Sequence, residues 1–199
     1  TKITPRKRDK TAASRLRSAA GARLRPDEYS HSSIRNLYLD TPDFRLIRRS
    51  LEKPVYKEKL RLRSYGRADR EHPVFMELKK KYRSIVYKRR LTLPYDRALD
   101  CLTGDCPWPE TQIGREIGYA MDFYPDLEPR VFLSYERDSW YAPESGLRIT
   151  FDDAIRFRTA DLTLDSDLWG TALLRPDQVK GSWGHPPLDG PPADRDGTL

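Results

Sequence analysis

The segment YKEKLRLRSYG, residues 56–66, constrains the fold more than any other part of the chain. On a strand, alternate side chains share a face. Lys57, Lys59, Arg61 and Arg63 therefore lie together, with Glu58, Leu60 and Leu62 opposite. Two further segments repeat the theme. In VFMELKKKY, Glu77, Lys79 and Lys81 share one face while Met76 and Leu78 take the other. In LRITFDDAIRFR, Arg148, Thr150, Asp152, Arg156 and Arg158 have one parity, and Leu147, Ile149, Phe151 and Ile155 the other. Cations stacked along a strand repel each other and cost stability unless something neutralises them. One such strand reads equally well as the solvent face of a half-buried antiparallel sheet. Three with the same sign and alternation point to inward faces that line a basic tunnel. There guanidinium forks clamp phosphate oxygens in pairs and ammonium groups add point charge. Glu77 and Asp152, interleaved with these cations, either hold a hard divalent cation or pair with a neighbouring Lys.

The remaining sequence sets the frame for that surface. At 199 residues the chain accommodates one full domain. Its 37 Lys and Arg against 30 Asp and Glu leave a net charge of +7, so an anionic partner is expected: nucleic acid, a phosphorylated small molecule or an anionic membrane. No apolar run approaches the roughly 20 residues of a membrane span, and no signal-peptide pattern opens the chain, which suits a cytoplasmic location. Cys101 and Cys106, in CLTGDC, match neither a zinc knuckle nor a redox CxxC and read as free thiols in a reducing compartment. His31, His72 and His185 have no neighbour at metal-ligand spacing.

Along the chain, Thr4-Pro5 starts a basic, Ala-rich helix running to about Leu24. IRNLYLD, Ile34 to Asp40, reads as a strand, and Thr41-Pro42 restarts a helix with Phe44, Leu46, Ile47 and Leu51 near one side. Strands Tyr56 to Tyr65, Val74 to Tyr82 and Ile85 to Leu93 follow, joined by links short enough for antiparallel hairpins. Pro94 ends that run. Ile113, Ile117, Met121 and Tyr124 have helical spacing between about Pro109 and Tyr124, and two later strands run from Val131 to Tyr141 and from Leu147 to Arg158. Beyond about Leu174 the composition shifts to Pro, Gly and Asp without periodicity. The expected organisation is an α+β domain over 1–174, an antiparallel β-barrel with a few flanking helices, followed by an irregular tail over 175–199.

KEKLRLRSYG, then FMELKKK, LSYERDSWY and LRITFDDAIRFR, together with the earlier NLYLDTPDF, resemble the VTC (vacuolar transporter chaperone) polyphosphate polymerase domain, one of the triphosphate tunnel metalloenzymes. The resemblance covers about Arg25 to Leu174. It implies an antiparallel tunnel that binds ATP and a growing polyphosphate chain and transfers the γ-phosphoryl group with a divalent metal, Mn2+ or Mg2+, releasing ADP. Pyrophosphate and phosphate are further expected ligands, and nucleic acid is not favoured, since no recognition helix or RNP-like motif is present. Carried over by motif, Lys57, Lys59, Arg61 and Arg63 would bind phosphate on one wall, and Lys79 and Lys81 beside Glu77 on another. Arg137 and Arg148 would reach it from the remaining strands; Lys88 and Arg90 are further phosphate candidates, and Glu77 and Asp152 are the candidates for the metal. A non-catalytic polyphosphate or nucleotide binder and a triphosphatase are the alternatives on the same fold.

Two departures from the family pattern bear on catalysis. Family members open with a strand carrying E-x-K, whereas this chain begins at TKITP. After a DxWG-like stretch, here Asp167 to Gly170, they continue into a strand like LMEVK whose Glu binds metal, whereas this sequence reads QVKGSWGHPPLDGPPADRDGTL. Shifted by one nucleotide, permissible codons for the tail give a family-like strand and helix, so a truncated start and a frameshifted or divergent end are expected. A tunnel short of those strands would have unpaired edges and impaired catalysis.

Overall fold

The computed structural model describes residues 24–175 and 178–184. The helix expected over 4–24 and the tail beyond 184 lie outside the described residues. Eight strands and three helices follow in the order β1 (Arg25–Asp40), α1 (Arg45–Leu51), β2 (Tyr56–Tyr65), β3 (Pro73–Tyr82), β4 (Ile85–Pro94), α2 (Tyr95–Thr103), α3 (Gln112–Phe123), β5 (Glu128–Ala142), β6 (Leu147–Arg158), β7 (Thr171–Ala172) and β8 (Lys180–Gly184). The strands form one sheet in the order β4-β3-β2-β1-β5-β6-β7, with β8 paired to β6. The architecture is the expected antiparallel α+β one. Among the described residues, however, the sheet is open, with β4 and β7 at its ends, and not a closed barrel.

The chain divides into two compact units. Among the described residues, one comprises 33–135 and 154–173, and the other combines 24–32 with 136–153 and those from 174 to 184. In the larger unit β2 alternates as its sequence dictates. Leu60 and Leu62 join Leu37, Leu39, Met76 and Leu78 in a core with Ala98, Ile117, Ala120 and Phe132. Helices α2 and α3 cover this face over β3 and β4. The polar parity is left to the opposite side of the sheet. The two-residue turn Arg83-Ser84, with φ 52° at Arg83, closes the β3–β4 hairpin. In the smaller unit Leu24, Ala142 and Ile149 form a separate apolar cluster. There β8 pairs with β6, Lys180 opposite Asp152 and Gly184 opposite Arg148, so part of the segment expected to be irregular is an ordered strand.

Three local readings differ from the structure. Helix α1 starts at Arg45, after Phe44 in the left-handed region, and Pro42 is not its first residue. Its entry is held by the Asp40 carboxylate, which accepts N–H bonds from Thr41 (2.9 Å), Leu46 (2.8 Å) and Ile47 (3.0 Å). Of the apolar residues assigned to one side of α1, Leu46 alone is buried. Secondly, Pro94 does end β4, but the chain enters α2 at once, with Tyr95, Ala98 and Cys101 buried at helical spacing. Lastly, β6 does not keep one alternating face. Ala154 adopts φ 47°, a conformation a non-glycine residue rarely holds, and the boundary between the units falls there.

Candidate phosphate-binding site

The register of β2, β3 and β4 lays the expected cations out in rows across three strands. Arg61 lies opposite Glu77, and Glu77 opposite Arg90. One step along the same face, Lys59, Lys79 and Lys88 form a second row, and Lys57 and Lys81 begin a third. In the other direction Arg63 faces Phe75. From β1, Tyr38 pairs with Arg61 and Asn36 with Arg63.

Glu77 is the hub. It is 2% exposed, and its carboxylate accepts from Arg61 Nε (2.6 Å), from Arg90 Nε (2.9 Å) and Nη2 (2.6 Å), and from the Lys88 ammonium (3.1 Å). Burial alone would raise its pKa, but the charges of Arg61, Arg63 and Lys88 and the Arg61 hydrogen bond overcome it and hold the group at about 2. Arg63 is itself buried, donating to Asn36 Oδ1 (2.9 Å) and the Tyr135 hydroxyl (3.2 Å). Arg61 also donates to the Tyr38 hydroxyl (3.1 Å), and the Arg90 guanidinium sits 4.8 Å over the Phe75 ring.

One carboxylate does not balance this face. Among the described residues Lys59 and Lys79 have no acidic partner. One nearby group registers the surplus. Tyr65, which burial would raise, is instead lowered by the charges of Arg63 and Arg90. A phenol held down against burial marks a positive field, and that field favours an incoming anion. Lys88 is lowered as well, but first by burial, with Glu77 pulling the other way.

Other expected residues are differently placed. Lys57 points its ammonium at the Ser50 carbonyl (3.4 Å) near α1. In the smaller unit Arg137 clamps Asp152 in a bidentate pair (Nε to Oδ1 2.6 Å, Nη2 to Oδ2 2.9 Å), and Arg148 pairs with Asp27 at 2.6 Å. Arg158, assigned by parity to the cationic faces, is buried instead. It donates to the carbonyls of Asp161 (2.9 Å), Thr163 (3.3 Å) and Trp169 (3.3 Å) and lies 3.6 Å over the Phe132 ring. It is a structural clamp on the loop 161–169. The sequence reading missed Asn36, Tyr38, Phe75 and Tyr135, which orient the arginines. The alternation of Asn36 and Tyr38 with Leu37 and Leu39 carried that signal for β1.

The expected divalent metal does not fit the carboxylates assigned to it. Mg2+ and similar ions are held by one or two carboxylates along with substrate oxygens. Both Glu77 oxygens already meet cations, and both Asp152 oxygens meet Arg137. No cluster of three or more His, Cys, Asp or Glu able to hold a metal occurs among the described residues. In this geometry Glu77 and Asp152 are counter-ions.

Comparison with known proteins agrees with the fold. The family model for the VTC domain matches residues 8–182, past the boundary expected at 174. Among solved structures, a candidate adenylate cyclase from Bacillus halodurans superposes with a TM-score of 0.51 at 18% identity, covering 92% of this chain and 79% of that one. A candidate adenylyl cyclase from Hippeastrum with a dominant triphosphatase activity aligns at a TM-score of 0.44 and 16% identity, over 94% of this chain and 80% of that one. No curated protein matches. No helix among the described residues is long and apolar enough to cross a membrane. The match over residues 8–182, on an antiparallel sheet that presents rows of Lys and Arg, makes this chain a member of the VTC domain family.

Proposed function

We propose that this chain binds linear polyphosphate and the triphosphate of ATP along the cationic face of β2, β3 and β4. In this reading it is a polyphosphate polymerase-like domain that moves the γ-phosphoryl group of ATP onto a polyphosphate chain in the cytoplasm. The observation that supports it is the row Lys59–Lys79–Lys88 set beside the row Arg61–Glu77–Arg90. Like charges directly opposite each other on neighbouring strands are unfavourable without a ligand. Neighbouring strands lie about 4.8 Å apart, and same-face residues about 7 Å apart along a strand. Such a lattice of positive charge suits a chain of repeated anionic groups better than one small ion. Phosphoryl transfer depends on positioning and charge neutralisation more than on covalent help. In this reading the side chains would act in those two ways: Arg61 and Arg90 are pre-oriented by Glu77, Arg63 by Asn36 and Tyr135, and the lysines add point charge.

A second reading, a binder without catalysis, is favoured by the engagement of Glu77 and Asp152 with cations in place of a metal. One assay separates the two. The protein is incubated with ATP and Mn2+, and products are followed by phosphorus NMR. Polyphosphate with ADP supports the polymerase. ADP with orthophosphate alone points to a triphosphatase. No turnover, with polyphosphate binding retained, leaves the binder. Tight duplex DNA binding that polyphosphate does not displace would refute all three.

A further inference from the structure

The end of α2 brings together two thiols that the cationic face does not use. Cys101 is buried in the last turn of the helix, and Cys106 is half-buried in the loop beyond it; both are free. The helix stops at Gly104, whose φ of 86° is open to glycine at little cost. The Gly104 N–H donates to the Asp100 carbonyl, and so do those of Asp105 (2.8 Å) and Cys106 (3.3 Å). This tight reversal folds CLTGDC back on itself and leaves the two Sγ atoms 2.7 Å apart. A disulfide bond is about 2.05 Å long, so the backbone already holds the sulfurs within reach of bonding.

The far side of the loop is fixed as well. The Trp108 ring packs against Gly118 of α3, and a Cβ on Gly114 would collide with the Pro109 carbonyl. A cavity of about 410 Å³ opens beside the thiols, lined by Cys101, Cys106, Trp108, Met121, Asp122 and Asp126 among others. It offers a small reagent an approach to the half-buried Cys106, and its two carboxylates favour a cationic one.

We propose that Cys101 and Cys106 are a redox modification site, at which a small disulfide entering this cavity converts the two thiols into an intrachain disulfide. Cys106, the more exposed, attacks first as its thiolate. The S–S bond of the reagent breaks, one small thiolate leaves, and Cys106 carries a mixed disulfide. Cys101 then loses its proton and attacks Cys106 Sγ, expelling the second small thiolate. The two leaving thiolates take up the two protons, so two protein thiols are oxidised and one small disulfide is reduced. The closed bridge ties the last turn of α2 to the segment that leads into α3. Burial raises the Cys101 thiol above its ordinary value, against the pull of the neighbouring Arg97 charge. That burial persists in the mixed disulfide, so the resolving step accelerates as pH rises through the range accessible to the folded protein.

The test uses the full chain and cystamine, a cationic disulfide. After treatment the folded protein is alkylated with iodoacetamide and its intact mass is measured. The expected product is lighter than the reduced protein by two hydrogens, carries no alkyl group on either cysteine, and reverts with dithiothreitol. Its rate of formation from the mixed disulfide should rise about tenfold per pH unit near neutrality. The Cys101→Ala variant should stop at a stable adduct on Cys106, and Cys106→Ser should stay unmodified at Cys101. The proposal is overturned if the unmutated protein keeps stable adducts on both cysteines, if both remain open to alkylation after treatment, or if the product is a covalent dimer.

Discussion

Two regions of this chain, one in each unit, treat positive charge in opposite ways. In the smaller unit Arg137 and Asp152 form a bidentate pair and Arg148 pairs with Asp27. On the β2–β4 face of the larger unit a single carboxylate, Glu77, serves Arg61, Lys88 and Arg90, while Lys59 and Lys79 have no acidic partner among the described residues. A balanced pair satisfies its own hydrogen bonds and has little left to offer a ligand. A face in surplus keeps donors and field available for an anion. The same residue types thus hold strands together in one region and are available for phosphate on the β2–β4 face.

The largest effect should come from removing the hub. Glu77→Gln leaves Arg61 and Arg90 partly buried without their counter-charge, and chemical denaturation should show a loss of about 3 kcal/mol. Affinity for polyphosphate, measured by calorimetry, should hold or rise, because the lost charge competes with phosphate. A resident metal ligand would behave otherwise: Mn2+-dependent turnover would vanish with little change in stability. The pH dependence follows from the same group. The Glu77 pKa is depressed from its ordinary 4.5 to about 2, so its contribution is complete above the unfolded value and is lost as pH falls towards the folded one. The stability gap between the parent and Glu77→Gln should therefore close between about pH 4.5 and about pH 2. A gap that persists at the acid end would mean that the carboxylate's shape, and not its charge, organises the face.

Next in size is the pair that lacks a counter-ion. Lys59→Ala with Lys79→Ala removes two charge-assisted contacts to the ligand, and polyphosphate affinity should fall about 100-fold. The melting temperature of the free protein should stay level or rise, since two facing cations no longer repel. A marked drop in melting temperature would show that the lysines serve the fold.

The spans of β2 and β6 were legible in the sequence, and on β2 period-two alternation also fixed the faces, with Lys59 and Arg61 on one side and Leu60 and Leu62 on the other. On β6 the alternation breaks at Ala154, which the sequence pattern does not show. Register was not legible. Nothing in YKEKLRLRSYG or VFMELKKKY says that Arg61 meets Glu77, since that depends on how the seven residues between Tyr65 and Pro73 are taken up. Without the register, Glu77 reads as one acid among many cations, open either to a divalent metal or to pairing with a neighbouring cation. Helix α2 was missed for a different reason. Pro94 was read as a stop, although proline can also precede a helix, and the buried trio Tyr95, Ala98 and Cys101 was there to be counted. The thiol pair needed the left-handed turn at Gly104, which spacing alone does not reveal.

The smallest effects belong to the balanced unit, and they are where the comparison can break. Asp152 is buried, so Arg137→Met strands its carboxylate and should cost about 2 kcal/mol, with most of that recovered in the double variant Arg137→Met/Asp152→Asn. Arg148 differs. Its side chain is 57% exposed, and exposed ion pairs contribute little, so Arg148→Ala should change stability by less than about 0.5 kcal/mol. Because Asp27 already takes its charge, polyphosphate affinity should change less than about twofold, within the range of an exposed and screened interaction. Family resemblance assigns Arg148 to phosphate, so this substitution is a direct contest between motif and geometry. A loss in affinity as large as that of the Lys59/Lys79 pair would show that Arg148 leaves Asp27 for the ligand. Pairing in the free protein would then be a resting state rather than a division of labour between the two units.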